Sequence, residues 1–294
     1  FTITSMIVLT SGTIFCMWLG EKITDKGIGN GISFLLIIGI VSRFAGAIVS
    51  EFLSKQVFGS LLFMFELVVL FFVVMSVVML TQAIRRIPVQ YAKQVGASSL
   101  YSGQRQFIPL KVNAAGVMPI IFAQSLMFLP SMIASIWADS NETANYIGST
   151  FSDFTSWQYN LVFGLLILVF TYFYTAISVN PNQIADDLKR SGGFIPGVKP
   201  GRSTSEYIDT ILTRITLPGA IYLALVAIFP SIAMLLGVTR EFSQFFGGTS
   251  LIIMVGVVLD TLQQVESYLL MRHYDGMMKS GKLRGRTENI AMVS

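Results

Sequence analysis

The run Phe58–Leu80, FGSLLFMFELVVLFFVVMSVVML, decides the fold. Glu66 is its single ionisable residue, and its apolar side chains are continuous instead of alternating with polar ones. A hydrocarbon core about 30 Å thick takes roughly 20 helical residues or about 10 strand residues. Only helices and closed barrels satisfy their backbone groups there. The run is too long for a barrel strand, so it predicts a membrane-spanning helix.

Working outward, the same pattern recurs along the chain. Further candidate spans are Phe1–Leu19, Gly31–Val49 (interrupted by Arg43), Val112–Trp137, Tyr159–Val179, Ile215–Leu236 and Gly248–Leu270. The composition agrees: 53% hydrophobic residues, 12% charged and a mean hydropathy of +0.68, where a soluble domain carries about 25% charge. The expected fold is an all-α polytopic membrane protein with seven transmembrane helices.

Lysine and arginine stay in cytoplasmic connections, and their distribution is lopsided. Of 20 basic residues, all but Arg43, Lys55 and Arg240 fall on one set of alternating connections. That set comprises Lys22 and Lys26, the loop Arg85–Lys111, the loop Asn180–Arg214 and the tail from Arg272. This predicts an extracytoplasmic start and a cytoplasmic C-terminus. Phe1 opens inside an apolar run without a basic leader, so the expectation is that an odd number of spans precedes this sequence.

The two long basic loops are the natural places for function. In the second, Asn180 is placed to cap a helix, Pro181 to open it, Lys189 and Arg190 to suit its C-terminal end, and Gly192-Gly193 to stop it. Ile184 and Leu188 share one face of that helix. Two Pro-Gly turns follow, Pro196-Gly197 and Pro200-Gly201, with Lys199 at the tip. Ser203 and Glu206 have the spacing of a capping box.

Catalysis has little to work with. His273 and Cys16 are the only residues of their kinds, so neither a metal cluster nor a thiol or serine triad is expected. No glycine-rich phosphate loop ending in Lys-Ser or Lys-Thr occurs. The expectation is a protein that is not an enzyme, needs no cofactor or metal, and draws energy from a partner. Glu66, Asp260 and Glu266 are costly inside a membrane, yet the sequence supplies them no evident His or Lys partner, which favours structural or vestibule-lining roles over a proton relay.

The stretch Gly20-Glu21-Lys22-Ile23-Thr24-Asp25-Lys26-Gly27-Ile28-Gly29-Asn30-Gly31-Ile32-Ser33 closely resembles the loop between the fourth and fifth spans of the SecY family, the pore subunits of the bacterial Sec protein-translocation channel. The resemblance continues through Arg85–Lys93, Ile108–Pro119, Phe173–Ala176, Asn180-Pro181, Phe194–Gly201, Tyr207–Asp209 and Phe246–Leu251. The sequence departs from the family pattern at Gln94, Ser98, Ser99, Arg105-Gln106-Phe107 and Lys199. By this resemblance the chain covers spans four to ten of a ten-helix channel, with the first three helices absent. Residues 1–84 hold spans four to six, 85–111 the cytoplasmic six–seven loop and 112–179 spans seven and eight. Residues 180–214 form the eight–nine loop, 215–270 spans nine and ten, and 271–294 the cytoplasmic tail.

The resemblance implies a channel that conducts unfolded secretory polypeptides and releases hydrophobic segments sideways into the bacterial inner membrane. It places Ile32, Leu36, Ile121 and Ile253 in the pore ring, where aliphatic side chains seal by dewetting. Asn113, Pro119 and Gln124 fall on the lateral-gate helix, in which such breakers call for a bend. Arg85, Arg86, Lys93, Arg105, Lys111, Lys199 and Arg202 are the expected docking residues for the SecA ATPase and for ribosomal RNA phosphates. SecE, SecG, the bilayer, signal peptides and translocating chains are the other implied partners. Two other classes compete with this reading: a proton-coupled secondary transporter, which needs a midplane ionisable pair, and a seven-span receptor, which needs a complete chain.

Overall fold

The order of elements follows from where the apolar runs end and where glycine or proline stops a helix. The computed structural model describes residues 2–27, 29–55, 59–91, 106–137 and 142–279. They form α1 (Thr2–Lys26), α2 (Gly31–Ser54), α3 (Ser60–Gln82), β1 (Ile84–Tyr91), β2 (Gln106–Lys111), α4 (Met118–Trp137), α5 (Glu142–Ser152), α6 (Trp157–Ser178), α7 (Pro181–Arg190), β3 (Gly193–Phe194), α8 (Arg202–Leu235), α9 (Arg240–Ser243) and α10 (Gly248–Lys279). Among the described residues, six helical segments are long and apolar enough to cross a membrane: α1, α2, α3, α8, α10 and the stretch containing α6. The apolar part of α4, Met118–Ala134, is shorter.

Two compact units result, one of Phe1–Ser42 with Gly256–Ser294 and one of Arg43–Val255. In the first, the glycine-rich motif builds a tight turn between helices. Helix α1 runs through Lys26, well past the expected end at Leu19. The Thr24 hydroxyl donates to the Gly20 carbonyl at 2.9 Å and accepts from the Gly31 N–H at 2.9 Å. Asn30 Oδ1 accepts from the N–H groups of Ile32 and Ser33, satisfying orphan donors of α2. A side chain on Gly31 would lie 2.0 Å from the Gly20 carbonyl oxygen, so only glycine allows this approach.

In the second unit, the two long loops are not all-helical, which corrects the all-α expectation. β1 and β2 pair antiparallel, with Ile87 opposite Ile108 and Arg85 opposite Leu110, and β3 joins β1 at Gln90 and Tyr91. The strand order is β2-β1-β3. The physical reason is the alternation in IRRIPVQY, which buries Ile87 and Val89 and leaves Arg86, Pro88 and Gln90 outside. Val112 N–H donates to the Ala83 carbonyl at 3.0 Å, which fixes the hydrogen-bonding alternation. Pro88 and Pro109 both fall at the other positions, where the nitrogen faces away from the partner strand and no donor is missed.

The sheet shares one hydrophobic core with α7 and the start of α8: Ile87, Val89, Leu110, Leu188, Ile195, Ile208 and Leu212. Each such side chain contributes roughly 1.5–3 kcal/mol by leaving water, so the described parts of the two basic loops form one folded module. Helix α7 is capped as the sequence indicates, Asn180 Oδ1 accepting from Asn182 N–H at 3.1 Å and Gln183 N–H at 3.4 Å. Asn180→Ala is expected to destabilise the module by about 1 kcal/mol, visible as faster hydrogen exchange across 181–190 and no change in α4.

The Ser203–Glu206 capping box does not form. Helix α8 starts at Arg202 with Gly201 as its cap at φ 102°, and Glu206 pairs with Arg202 at 3.1 Å instead. Gly201 takes a backbone conformation closed to serine, so the helix begins two residues early. The span expected from Val112, by contrast, starts late, at Met118. Gly116 at φ 64° turns the chain, and Pro119, lacking a donor, fits the first turn of a helix.

Candidate functional site

The four expected ring residues are all surface positions of their helices. In the first unit Ile32 and Leu36 stand one turn apart on α2, 44% and 52% exposed. In the second unit Ile121 is exposed and Ile253 half-buried, while the residues just before them, Ile120 and Ile252, are fully packed. The latter two hold α4 and α10 in the protein. Ile121 turns an aliphatic face away from the packed core, and Ile253 is partly covered.

Helix α4 carries Pro119 and Gln124, whereas Asn113 lies in the turn ahead of it, which corrects its assignment to the helix. Pro119 is buried. Pro130 sits inside the helix, where it removes one intrahelical hydrogen bond. Helix α4 packs on α6 through Phe122, whose ring lies 6.1 Å from Phe170 and 5.3 Å from Tyr174.

Among the docking candidates, Arg86 and Lys111 share the outer face of the sheet, and Arg85 projects from the opposite face. Lys199 is exposed in the turn after β3. Arg202 is exposed but already paired with Glu206, an interaction worth little in water. Lys93 and Arg105 lie outside the described residues.

Two features were not legible beforehand. The first is a buried ionic cluster. Lys55 Nζ lies 2.9 Å from Glu51 Oε1 and also bonds Glu66 Oε1. Glu51 Oε2 accepts from the Thr239 N–H at 2.9 Å and from the Thr239 hydroxyl. Glu66 therefore has a lysine partner after all, Lys55 lying just past the end of α2. Asp260, by contrast, is exposed and accepts from Gln264 Nε2 at 3.0 Å, and Glu266 is exposed. The second feature is a cleft of about 660 Å3 that gathers Arg43, Gln124, Ser131, Asn160, Arg240 and Ser250. The signal for both was present in part, since Arg43, Lys55 and Arg240 are the three basic residues that break the charge bias.

The SecY family model matches residues 1–262. The protein translocase subunit SecY of Thermotoga maritima is 41% identical over 286 residues, covering 97% of this chain and 64% of that protein. Those of Chlamydia muridarum and Streptomyces scabiei are 40% and 43% identical, covering 97% and 95% of this chain and again 64% of each relative. The chain thus spans just under two thirds of the relatives' length. None of these three is a transporter of small solutes by name, and that alternative finds no support among them.

A solved SecY structure concerned with the plug domain and the closed state of the translocation channel superposes with a TM-score of 0.56 at 16% identity, over 87% of this chain and 64% of that one. Another, a protein-conducting channel, gives 0.55 at 15% identity over 87% and 63%. At such identities the likeness is one of fold. Family match, sustained identity and helical architecture together establish that the chain belongs to the SecY family.

Proposed function

We propose that this chain forms the greater part of a protein-conducting channel that passes unfolded secretory polypeptides across the bacterial inner membrane and releases hydrophobic segments into the bilayer. The supporting observation is that Ile121, exposed, and Ile253, half-buried, each follow a fully packed residue on α4 and α10. On this reading the seven apolar helices correspond to spans four to ten, the first with its beginning outside the cytoplasm, and the C-terminus is cytoplasmic. Ile32 and Leu36 complete the chain's share of the ring. Helices α4 and α6 form one side of the lateral gate, with Pro119 and Gln124 on the first.

The folded basic module is the docking surface. Arg86 and Lys111 present charge on one rigid sheet face, and Lys199 presents it at a proline-bounded turn. Arg85, Arg202, Lys93 and Arg105 belong to the same two loops. Acidic surfaces of the SecA ATPase and ribosomal RNA phosphates suit such a surface, and SecE and SecG are the membrane subunits that complete the assembly. Reconstitution tests the whole reading. Full-length protein with SecE and SecG in vesicles should translocate a secretory precursor only with SecA and ATP, and proton-driven uptake of a small solute in its place would overturn it.

A further inference from the structure

Arg43 is the thirteenth residue of α2, in the middle of a segment apolar enough to span a membrane. A charge there costs about 2.5–3.5 kcal/mol and is kept where it meets a counter-charge or a water-filled cavity. Arg43 meets the cavity: it lines the cleft of about 660 Å3 together with Arg240. Among the described residues neither guanidinium has a carboxylate within ion-pair distance. Lys55, the third basic residue outside the charge bias, is tied to Glu51 and Glu66. The two arginines are thus the uncommitted positive charges of that side.

Arg240 is held for use. Its guanidinium lies over the Phe154 ring, 5.1 Å from the centroid, a cation–π contact that engages the face of the group and not its N–H donors. The Phe154 backbone is itself anchored, its carbonyl accepting from Asn160 Nδ2 at 3.1 Å and from the Ser231 hydroxyl at 2.9 Å. Asp153, held below the ordinary carboxylate range by hydrogen bonds from Thr155, adds its field to Arg240 without pairing with it.

The cleft also has a definite place along the two helices that carry the aliphatic pair. Gln124 comes one turn after Ile121 on α4, and Ser250 one turn before Ile253 on α10. These helices are three spans apart and run in opposite directions if all seven apolar helices cross. Both cleft residues then lie on the same side of the aliphatic pair, the side away from the basic module. We infer that this cleft is a carboxylate-holding station for the polypeptide just beyond the aliphatic ring, engaging Asp- and Glu-rich stretches through Arg43 and Arg240 and repelling Lys- and Arg-rich ones. The inference rests on the channel reading. Two guanidiniums amid amide and hydroxyl groups suit carboxylates, which they bind in paired hydrogen bonds.

The test uses the full-length channel with its partner subunits, carrying Cys16→Ser and Ser131→Cys, and precursors stalled with four Glu, four Gln or four Lys at the cleft beside a single cysteine. The Glu stretch should cross-link to position 131 about threefold or more above the Lys stretch, with Gln between. Arg43→Gln with Arg240→Gln should level the three. Equal Glu and Lys yields in the unaltered pair of arginines overturn the inference, even if the double variant does not fold. Repeating the comparison in neutral phosphatidylcholine vesicles and with added phosphatidylglycerol distinguishes a lipid site: loss of the Glu preference in anionic vesicles assigns the cleft to a phosphate headgroup and overturns the inference. Failure of the Gln precursor to cross-link or translocate at all would instead count against the channel reading.

Discussion

Ion leak through the full-length channel is expected to rise steeply when Ile121 and Ile253 are both replaced by serine. An empty aliphatic constriction excludes ions because wetting it is unfavourable. Exchanging a full aliphatic side chain for a small hydroxyl removes roughly 1.5–3 kcal/mol of apolar preference, so leak should grow on the order of tenfold per position. Conductance of planar bilayers with the resting channel measures this. Ile133→Ser, at another exposed position of α4, is the control and should leave the seal intact. Leak unchanged in the double variant would remove Ile121 and Ile253 from the ring.

The second large effect concerns Lys55→Met. Glu51 is fully buried and Glu66 nearly so, and this ammonium is the cation beside both. Removing one partner of a buried ion pair costs about 3–5 kcal/mol, because the remaining charge has no water to turn to. The loss should appear as a lower thermal unfolding temperature of the purified protein and as faster proteolysis near the turn between α2 and α3. Adding Glu51→Gln and Glu66→Gln should restore most of the stability, since neutral amides remove the stranded charge. An unaltered unfolding temperature in Lys55→Met would show that the cluster holds nothing together.

Burial pushes Lys55 down, but the hydrogen bonds to Glu66 and Glu51 outweigh it and hold the group above the ordinary lysine range. A raised lysine stabilises fully below its unfolded value and loses that contribution only as pH climbs through the raised one. The lysine's own contribution should therefore be constant across the neutral range and fall only in alkali.

That the chain is built mainly of apolar helices long enough to cross a membrane was legible because it depends on length and composition alone. The charge bias was legible for the same reason, and it singled out Arg43, Lys55 and Arg240 without showing why they were there. The module was half legible. Asn180, Pro181 and Gly192 are local signals for α7 and act where they stand, whereas the sheet needed Arg85–Tyr91 to find Gln106–Lys111 across an intervening segment. Its alternation was present in IRRIPVQY, although two prolines argued against a strand until the register placed them where no donor is required.

By itself, the sequence determined that this is a helical membrane protein of the SecY family with two built basic loops. Local composition and an ordered run of motifs suffice for that. Tertiary structure alone decided that those loops share one core, that Lys55 bridges Glu51 and Glu66, that Asn113 precedes its helix, and that Arg43 and Arg240 open onto one cleft. The shared core, the Glu66–Lys55 pair and the Arg43–Arg240 cleft join residues of different elements, and such pairings are set by packing and by the high cost of an unpaired charge in hydrocarbon, which no local pattern encodes.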